Sequence, residues 1–82
     1  MDSKFHTITI TIYDRQNAFN PVSELLYQHA DKISLRVGYP IKEKNVAVIF
    51  LILETDNDEL GALSGKLGQI KSVKVKSTTL KI

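Results

Sequence analysis

The apolar and polar residues near the amino terminus of the chain alternate strictly. One set consists of Phe5, Thr7, Thr9, Thr11 and Tyr13, and the other of His6, Ile8, Ile10 and Ile12. A period of two is typical of a strand that is buried on one face. The sequence therefore predicts a first strand over 5–13, with a row of threonines facing away from the core.

The spacing then changes to that of a helix. The apolar stripe consists of Val22, Leu25, Leu26, His29 and Ile33. Residues 14–17, DRQN, predict a turn, and either Asn17 or Asn20 suits the N-cap. Pro21 is expected in the first turn, where its missing N–H leaves no bond unmade. The helix is expected to end near Asp31 or Lys32.

Two further strands follow this helix. Residues 33–39 alternate again, and Pro40 is expected to end the ladder because proline cannot donate to it. After a polar turn at 42–45, a third strand is predicted over 46–54. This strand is apolar on both faces, and such a strand needs cover on both.

The stretch from Asp58 to Gly68, DELGALSGKLG, predicts a second helix. Its apolar face consists of Leu60, Leu63, Leu67 and Ile70, and Gly61, Gly65 and Gly68 share a flank away from that face. Each glycine costs a helix interior about 1 kcal/mol relative to alanine, unless Gly68 is the C-terminal cap. The bare flank favours close approach by a partner, and Lys66 beside it is either a charge for that partner or a solvated lysine.

With a last strand over 72–80, the element order is β-α-β-β-α-β. This order predicts an α+β ferredoxin-like sandwich over 1–82: a four-stranded antiparallel sheet with two helices on one face and strands one and three at the centre. The helices cover one face only, so we expect the open face to pack against another subunit of a homo-oligomer. Alternatively, a central strand tolerates some exposed aliphatic residues.

Composition adds limits to this picture. A chain of 82 residues buries roughly 60% of its unfolded surface, which makes association a favourable route to stability. The chain has no cysteine, which excludes disulfides and thiolate metal centres. The first residues, MDSKFHT, lack the apolar segment of a signal peptide, so a cytoplasmic location is expected.

Candidate catalytic groups are few. His6 and His29 are far apart in sequence, and each is expected to be a packed histidine with a hydrogen-bond partner. The carboxylates Asp56, Asp58 and Glu59 gather at the start of the second helix, where the helix dipole explains them. We therefore expect no enzymatic activity, no metal and no cofactor.

The last strand is basic, with Lys74 and Lys76 on one face. These lysines favour nucleic-acid binding, but lysine is also the usual protection of an edge strand against aggregation. RNA-recognition domains share the predicted topology and place stacking aromatic residues on strands one and three. Here those strands read ITITIY and VAVIFLIL, in which Tyr13 and Phe50 are poor substitutes.

Several motifs together resemble a known family. The chain has RVGYP at 36–40, then Asn45-Val46 at the start of the apolar strand, then ALSGKLG at 62–68 and VKVK at 73–76. The Asp14-Arg15 turn also fits. This succession, over almost the whole chain, resembles the small single-domain regulators of the iron-only hydrogenase system. Their pattern has a glycine before the valine of the last strand, where this chain has Ser72.

The resemblance implies a fold similar to ACT domains and to the effector domain of the nickel-responsive repressor, which associate and bind small effectors at their seams. In amino-acid-binding ACT domains a glycine follows strand one, whereas Gln16 and Asn17 stand here, and Asn17 would have to adopt a left-handed conformation. The histidine and cysteine set of the nickel site is absent. The repressor's DNA-binding arm is also absent, so a role in transcription regulation would need a partner.

These observations predict a non-enzymatic regulatory or effector-sensing module that acts as a dimer or tetramer. The predicted ligand- or partner-binding residues are Asp14, Arg15, Asn17, Gly61, Gly65, Lys66 and Gly68. Arg36, Gly38 and Pro40 are expected to shape the hairpin. The alternatives are a nucleic-acid-binding protein that uses the basic last strand and an accessory factor whose ligand site forms between subunits.

Overall fold

The computed structural model describes residues 3–82; the first two residues of the predicted domain lie outside the described residues. The elements are β1 (Lys4–Ile12), α1 (Arg15–Gln28), a 3-10 turn (Ala30–Lys32), β2 (Ile33–Ile41), a second 3-10 turn (Lys42–Lys44), β3 (Val46–Thr55), α2 (Asn57–Gly68) and β4 (Val73–Thr79). The four strands form one antiparallel sheet in the order β2-β3-β1-β4. The predicted order and the central position of strands one and three are confirmed.

The core lies between the sheet and the two helices. It consists of Ile8, Ile10 and Ile12 of β1, Ala47, Ile49, Leu51 and Leu53 of β3, Val73 of β4, Ala18, Val22 and Leu26 of α1, and Leu60, Leu63 and Leu67 of α2. The periodicities predicted the buried positions of β1 and α2 and two of those in α1, Val22 and Leu26. Ala18, Val73 and the choice of inward face for β3 come from the structure. Burial of aliphatic side chains is the main stabilising term for such a sandwich.

Helix α1 begins earlier than predicted. It starts at Arg15, with Asp14 at the N-cap, so neither Asn17 nor Asn20 is the cap, and Pro21 lies inside the helix. The early start is possible because another segment supplies acceptors for the first turn: the Arg15 N–H donates to the Asn45 carbonyl over 2.9 Å. The helix ends at Gln28, before the predicted end.

Strand β2 runs through the residue expected to stop it. Pro40 lies in the ladder opposite Ala47, and β2 continues to Ile41. Proline is compatible with a strand at the sheet edge when its nitrogen faces away from the neighbouring strand. The expectation that Pro40 ends the ladder was wrong because β2 is an edge strand.

Helix α2 has the predicted acidic cap and an unexpected end. The Asp56 carboxylate accepts the Glu59 N–H over 2.7 Å, which satisfies one free donor of the first turn. Gly68 is the last helical residue, and the following cap residue, Gln69, is right-handed. No glycine has a positive φ. Gly68 is therefore not a left-handed cap, and the alternative that Gly68 caps the helix does not hold.

Candidate functional site

The first turn after β1 is held by a set of amide–carboxylate hydrogen bonds. Oδ2 of Asp14 accepts the side-chain N–H of Asn17 over 2.8 Å. Oδ1 of Asp14 accepts the side-chain N–H of Asn45 over 3.1 Å. Two of the predicted binding residues, Asp14 and Asn17, thus bind each other, and both carboxylate oxygens of Asp14 already have partners within the chain.

Asn45 is the residue of this cluster that the sequence did not indicate. Its side-chain oxygen accepts the Gln16 N–H over 3.2 Å, and its φ of 55° lies in the left-handed region. Asparagine is one of the few residues that adopt this conformation readily. The signal available in the sequence was an asparagine at the end of a polar turn, directly before a strand.

The hydrogen bonds to Asp14 lower the pKa of its carboxyl group. The hydrogen bond from the Asn17 side chain is the largest cause of the lowered pKa of Asp14. Desolvation is the second largest and acts in the opposite direction, whereas the bond from Asn45 and the charge of Lys71 lower the pKa further. A carboxylate that accepts several N–H donors favours the charged form. The cluster therefore presents a fixed negative charge at this end of the sheet.

A cavity of about 330 Å³ lies beside this charge, and we name it the first-turn cavity. Its lining residues are Asp14, Asn17, Ala18, Ile70, Lys71 and Ser72. The cavity lies between the turn after β1 and the turn before β4. These two turns are joined by a hydrogen bond of 2.7 Å from the Tyr13 N–H to the Ser72 carbonyl. With a carboxylate and an ammonium group on its wall, the cavity suits a small polar molecule.

The third predicted residue of the first turn, Arg15, lines a different cavity of about 160 Å³. That cavity lies between α1 and the middle of β2, and Phe19, Gly38 and Pro40 also line it. The structure therefore does not bring Arg15 into the first-turn cavity.

The glycine flank of α2, defined as Gly61, Gly65 and Gly68, is exposed. A Cβ atom added at any of the three would meet no atom within 4 Å. Lys66 is also exposed. Neither the flank nor Lys66 lines the first-turn cavity. The predicted binding residues therefore fall into three groups: Asp14 with Asn17, Arg15 in the cavity beside β2, and the glycine flank with Lys66.

Arg36 takes part in a contact that the sequence analysis missed. Its guanidinium donates to the Ser23 hydroxyl over 3.1 Å, which links β2 to α1. Arg36, Ser23, Glu24 and Tyr27 line a wide groove of about 610 Å³. An arginine on an edge strand opposite a helix was the available signal.

Both histidines are packed. His6 is fully buried; its Nε2 donates to the Thr55 carbonyl over 2.9 Å, and its Nδ1 accepts from the Thr79 hydroxyl over 3.0 Å. His29 donates through Nδ1 to the Leu25 carbonyl over 3.0 Å. Within residues 3–82, no cluster of three or more histidine, cysteine or carboxylate side chains is placed to hold a metal ion.

The sheet surface opposite the helices, which we name the open face, has two halves. The apolar half consists of Leu35, Val37, Tyr39 and Ile41 of β2 with Val46, Val48, Phe50 and Ile52 of β3. The polar half consists of Thr7, Thr9 and Thr11 of β1 with Lys74, Lys76 and Thr78 of β4. Cross-strand neighbours therefore create one apolar and one basic region on a single surface.

Comparison with known proteins supplies the family. Residues 4–77 match the family described as "TM1266-like: Iron-only hydrogenase system regulator, putative". The chain belongs to this family. The solved structure of protein TM1266 from Thermotoga maritima is 54% identical, covers 98% of this chain and 100% of that chain, and superposes with a TM-score of 0.93.

More distant structures share the fold of this regulator family. The ACT domain from GTP pyrophosphokinase of Chlorobium tepidum has a TM-score of 0.79 at 19% identity and covers 94% of this chain and 100% of that chain. The C-terminal domain of MgtC from Mycobacterium tuberculosis has a TM-score of 0.70 at 13% identity over 94% and 87% of the two chains. The predicted ACT-like fold is confirmed. No curated protein matches the chain.

The glycine that the resemblance implies before the last strand would suit the backbone at this position. Ser72, at that position, has a φ of 69°, a conformation that glycine adopts without strain. Asn17, which would need a left-handed conformation to replace the glycine of an amino-acid-binding ACT domain, is helical.

The described residues also bear on membrane association. Neither α1 nor α2 is long and apolar enough to cross a bilayer.

Proposed function

We propose that this chain is a non-enzymatic regulatory or small-effector-sensing module of the iron-only hydrogenase system, acting in the cytoplasm as a homo-oligomer that associates through the open face. Family membership supports the regulatory role. The observation that carries the association is the apolar half of the open face. Phe50 at its centre is 36% exposed although β3 is a central strand.

Burial of this apolar half in a second subunit would remove hydrophobic surface from water. Each square ångström of apolar surface buried contributes about 25 cal/mol. The polar half, with Thr9 and Thr11 beside Lys74, would then lie at the rim, as polar residues do at most interfaces. Association through the open face would thus bury the apolar half and leave the polar half at the solvent-exposed rim.

For the effector, we propose the first-turn cavity. Asp14 and Lys71 offer opposite charges to a small polar molecule. Asn17, in the first turn of α1, also lines the cavity. For a protein partner, we propose the glycine flank, with Lys66 supplying charge and with close backbone approach at Gly61 and Gly65.

Light scattering coupled to size exclusion, followed by native mass spectrometry, tests this proposal. We expect a dimer or tetramer, and a retained adduct would identify the class of effector. Phe50→Lys should lower the mass, whereas Thr78→Lys, a matched control on the polar half, should leave it unchanged. A monomeric wild-type chain would contradict association through the open face.

The glycine flank is tested separately with Gly65→Leu. Leucine improves the helix propensity of this site by about 0.8 kcal/mol, and the space around Gly65 is open. Lost binding to a partner or lost signalling would then report a blocked contact instead of an unfolded chain. Unchanged association and signalling would remove the flank from the proposal.

Nucleic-acid binding remains the second candidate, because the register places Lys74 and Lys76 beside the threonines of the open face. Double substitution of these lysines by glutamate should abolish such binding, and the affinity of the wild-type chain should fall steeply with salt. If the wild-type chain does not bind nucleic acid even at low salt, this candidate is excluded.

A further inference from the structure

The outer edge of β2 is exposed on both faces of the sheet. Only the first and last of its nine residues are even half-buried. On the open face, Leu35, Val37 and Tyr39 are 42%, 50% and 69% exposed. An apolar edge strand of this length is a template for pairing with another strand.

The ladder fixes which backbone groups of β2 face outward. The N–H of Tyr13, directly after β1, donates to the Ser72 carbonyl, and the Phe5 carbonyl in β1 accepts the Leu80 N–H. The backbone groups of odd-numbered residues in β1 therefore point to β4, and those of even-numbered residues point to β3. The backbone groups of Ile12 therefore bond to those of Ala47 opposite it. The backbone groups of Ala47 thus face β1 and not β2. By the same alternation, Arg36, Gly38 and Pro40 turn their backbone groups to the outside.

This outer row is limited at both ends. Pro40 has no N–H to offer. At the other end, the register shifts between Ile33 and Leu35, which interrupts the regular ladder. The complete outward pairs of donor and acceptor in the middle of β2 belong to Arg36 and Gly38.

We propose that β2 pairs antiparallel with β2 of a second copy of this chain, about a two-fold axis at Val37. Arg36 then lies opposite Gly38 of the partner subunit, and Gly38 lies opposite Arg36 of the partner subunit. All outward N–H and C=O groups of these two residues find partners. The result is a continuous sheet that joins the two four-stranded sheets.

The side chains are self-complementary about the same axis. On the open face, Val37 meets Val37 of the partner subunit, and Leu35 meets Tyr39 of the partner subunit, so the three exposed apolar residues of β2 cover each other. On the helix side, Gly38 leaves room for the long side chain of Arg36 of the partner subunit. The hydrogen bond from Arg36 to Ser23 draws the guanidinium towards α1 and away from the axis.

Neighbouring registers are less favourable. A shift that placed Arg36 opposite itself would bring two like charges together on adjacent strands. The opposite shift, with Gly38 opposite itself, would set Pro40 against Arg36 of the partner subunit and leave the Arg36 carbonyl without a donor. The symmetry of the pattern about Val37 is the reason to assign the edge to a second copy and not to an unrelated strand.

This inference rests on the proposed self-association. It uses the outer edge of β2, whereas the open-face contact uses the surface around Phe50, and Leu35, Val37 and Tyr39 belong to both surfaces. Use of both surfaces would give a tetramer with two kinds of interface. The two proposals can be separated, because Gly38 belongs to the helix side of the sheet and Phe50 to the open face.

The first test is a cross-link. Because the natural chain has no cysteine, Val37→Cys introduces a single thiol. Two residues directly opposite at a non-hydrogen-bonded position have Cα atoms about 4.5 Å apart, which is within the range for a disulfide. Under mild oxidation we expect a disulfide-linked dimer at least ten times faster than for Thr78→Cys, an exposed control on β4. Equal rates would overturn the proposal.

The second test is the assembly mass of Gly38→Arg. A Cβ at Gly38 meets only Ile49 Cγ1, at 3.9 Å, so the subunit fold should tolerate the change, which circular dichroism would verify. In the proposed pair the new arginine would lie against Arg36 of the partner subunit, and we expect the mass to halve. A Gly38→Arg chain with the wild-type mass would overturn the pairing.

Comparison with Phe50→Lys separates the two interfaces. If Phe50→Lys lowers the mass and Gly38→Arg does not, the edge pairing is wrong and the open-face contact stands. The reverse result supports the edge pairing and contradicts the open-face contact. If each variant halves a tetramer and the double variant is a monomer, both interfaces are supported.

Discussion

The two edges of the sheet, β2 and β4, differ in how they are fastened and in what they present to solvent. Strand β4 is tied to β1 beyond its ladder at both ends, by the Tyr13 N–H to the Ser72 carbonyl and by the Leu80 N–H to the Phe5 carbonyl. His6 fixes Thr79 as well. Strand β2 is linked to α1 by the hydrogen bond that the Arg36 guanidinium donates to the Ser23 hydroxyl.

The side chains that the two edge strands expose to solvent also differ. Lys74 and Lys76 project from β4, and edge lysines oppose pairing with another strand. At the corresponding place on β2 the open face carries Leu35, Val37 and Tyr39. One edge of the sheet thus carries charges that oppose strand pairing, and the other carries exposed apolar residues. Pairing through β2 alone would end at a dimer, because β4 would not extend the sheet further.

The largest expected effect on this comparison comes from His6→Ala. The change empties a fully buried site and removes the side-chain hydrogen bonds to the Thr55 carbonyl and the Thr79 hydroxyl, and we expect a loss of about 3 kcal/mol in the free energy of unfolding. Urea unfolding at fixed protein concentration measures it, and amide exchange at Leu80 should accelerate. Arg36→Ala, the matched change on β2, should cost less than about 0.5 kcal/mol. Equal losses would contradict the difference between the edges.

The next effect concerns the turn that joins β2 to β3. Asn45→Ala removes two side-chain hydrogen bonds and strains a left-handed position, so we expect a loss of about 2 kcal/mol. Asn45→Gly keeps the backbone conformation and should lose roughly half as much. The same unfolding measurement separates the two contributions. If glycine costs as much as alanine, the conformation of Asn45 contributes nothing.

A smaller change of opposite sign is expected at the turn into β4. Ser72→Gly relieves the positive φ of this residue, and the gain, reduced by the greater freedom of glycine in the unfolded chain, should be about 0.5 kcal/mol. Ser77→Gly, in the exposed part of β4, is the matched control and should destabilise. A loss of stability in Ser72→Gly would show that the turn is not strained.

The smallest effect is a pH dependence at the first turn. Because the pKa of Asp14 is lowered in the folded state, its stabilising contribution is present above the unfolded pKa of about 3.9 and is lost as the pH falls through the lower folded value. Asn17→Ala should raise the pKa of Asp14 in an NMR titration of its carboxyl carbon. Gln16→Ala, whose side chain does not bind Asp14, should leave it unchanged. An Asn17→Ala titration that matches wild type would contradict the assigned cause.

Much of the fold followed from local patterns. The threonine–isoleucine alternation in 7–12 and the leucine spacing in 60–67 each specify one buried face, and the order of elements then leaves few arrangements of the sheet. The misplaced boundaries have a common cause, since they depend on distant contacts. The start of α1 depends on Asn45, and the tolerance of Pro40 depends on β2 being at the edge.

The candidate site was less accessible from sequence for the same reason. Asp14 and Asn17 were identified as parts of a turn, but Ile70 and Lys71, which form the other wall of the cavity, come from a segment far along the chain. The glycine flank was predicted correctly as a bare surface. Its occupant is a property of another molecule, and no pattern within this chain specifies it.

The hydrogen bonds from α1 to Asn45 also have a consequence for the order of folding. The Gln16 N–H and its acceptor are 29 residues apart, so the start of α1 is completed only when the β2–β3 turn has closed. Contacts between residues that are distant in sequence form late, because the loop between them must first be ordered. Asn45→Ala should therefore accelerate unfolding and leave the refolding rate almost unchanged in stopped-flow experiments. The first turn of α1 is then the last part of the helix to form, although it comes first along the chain.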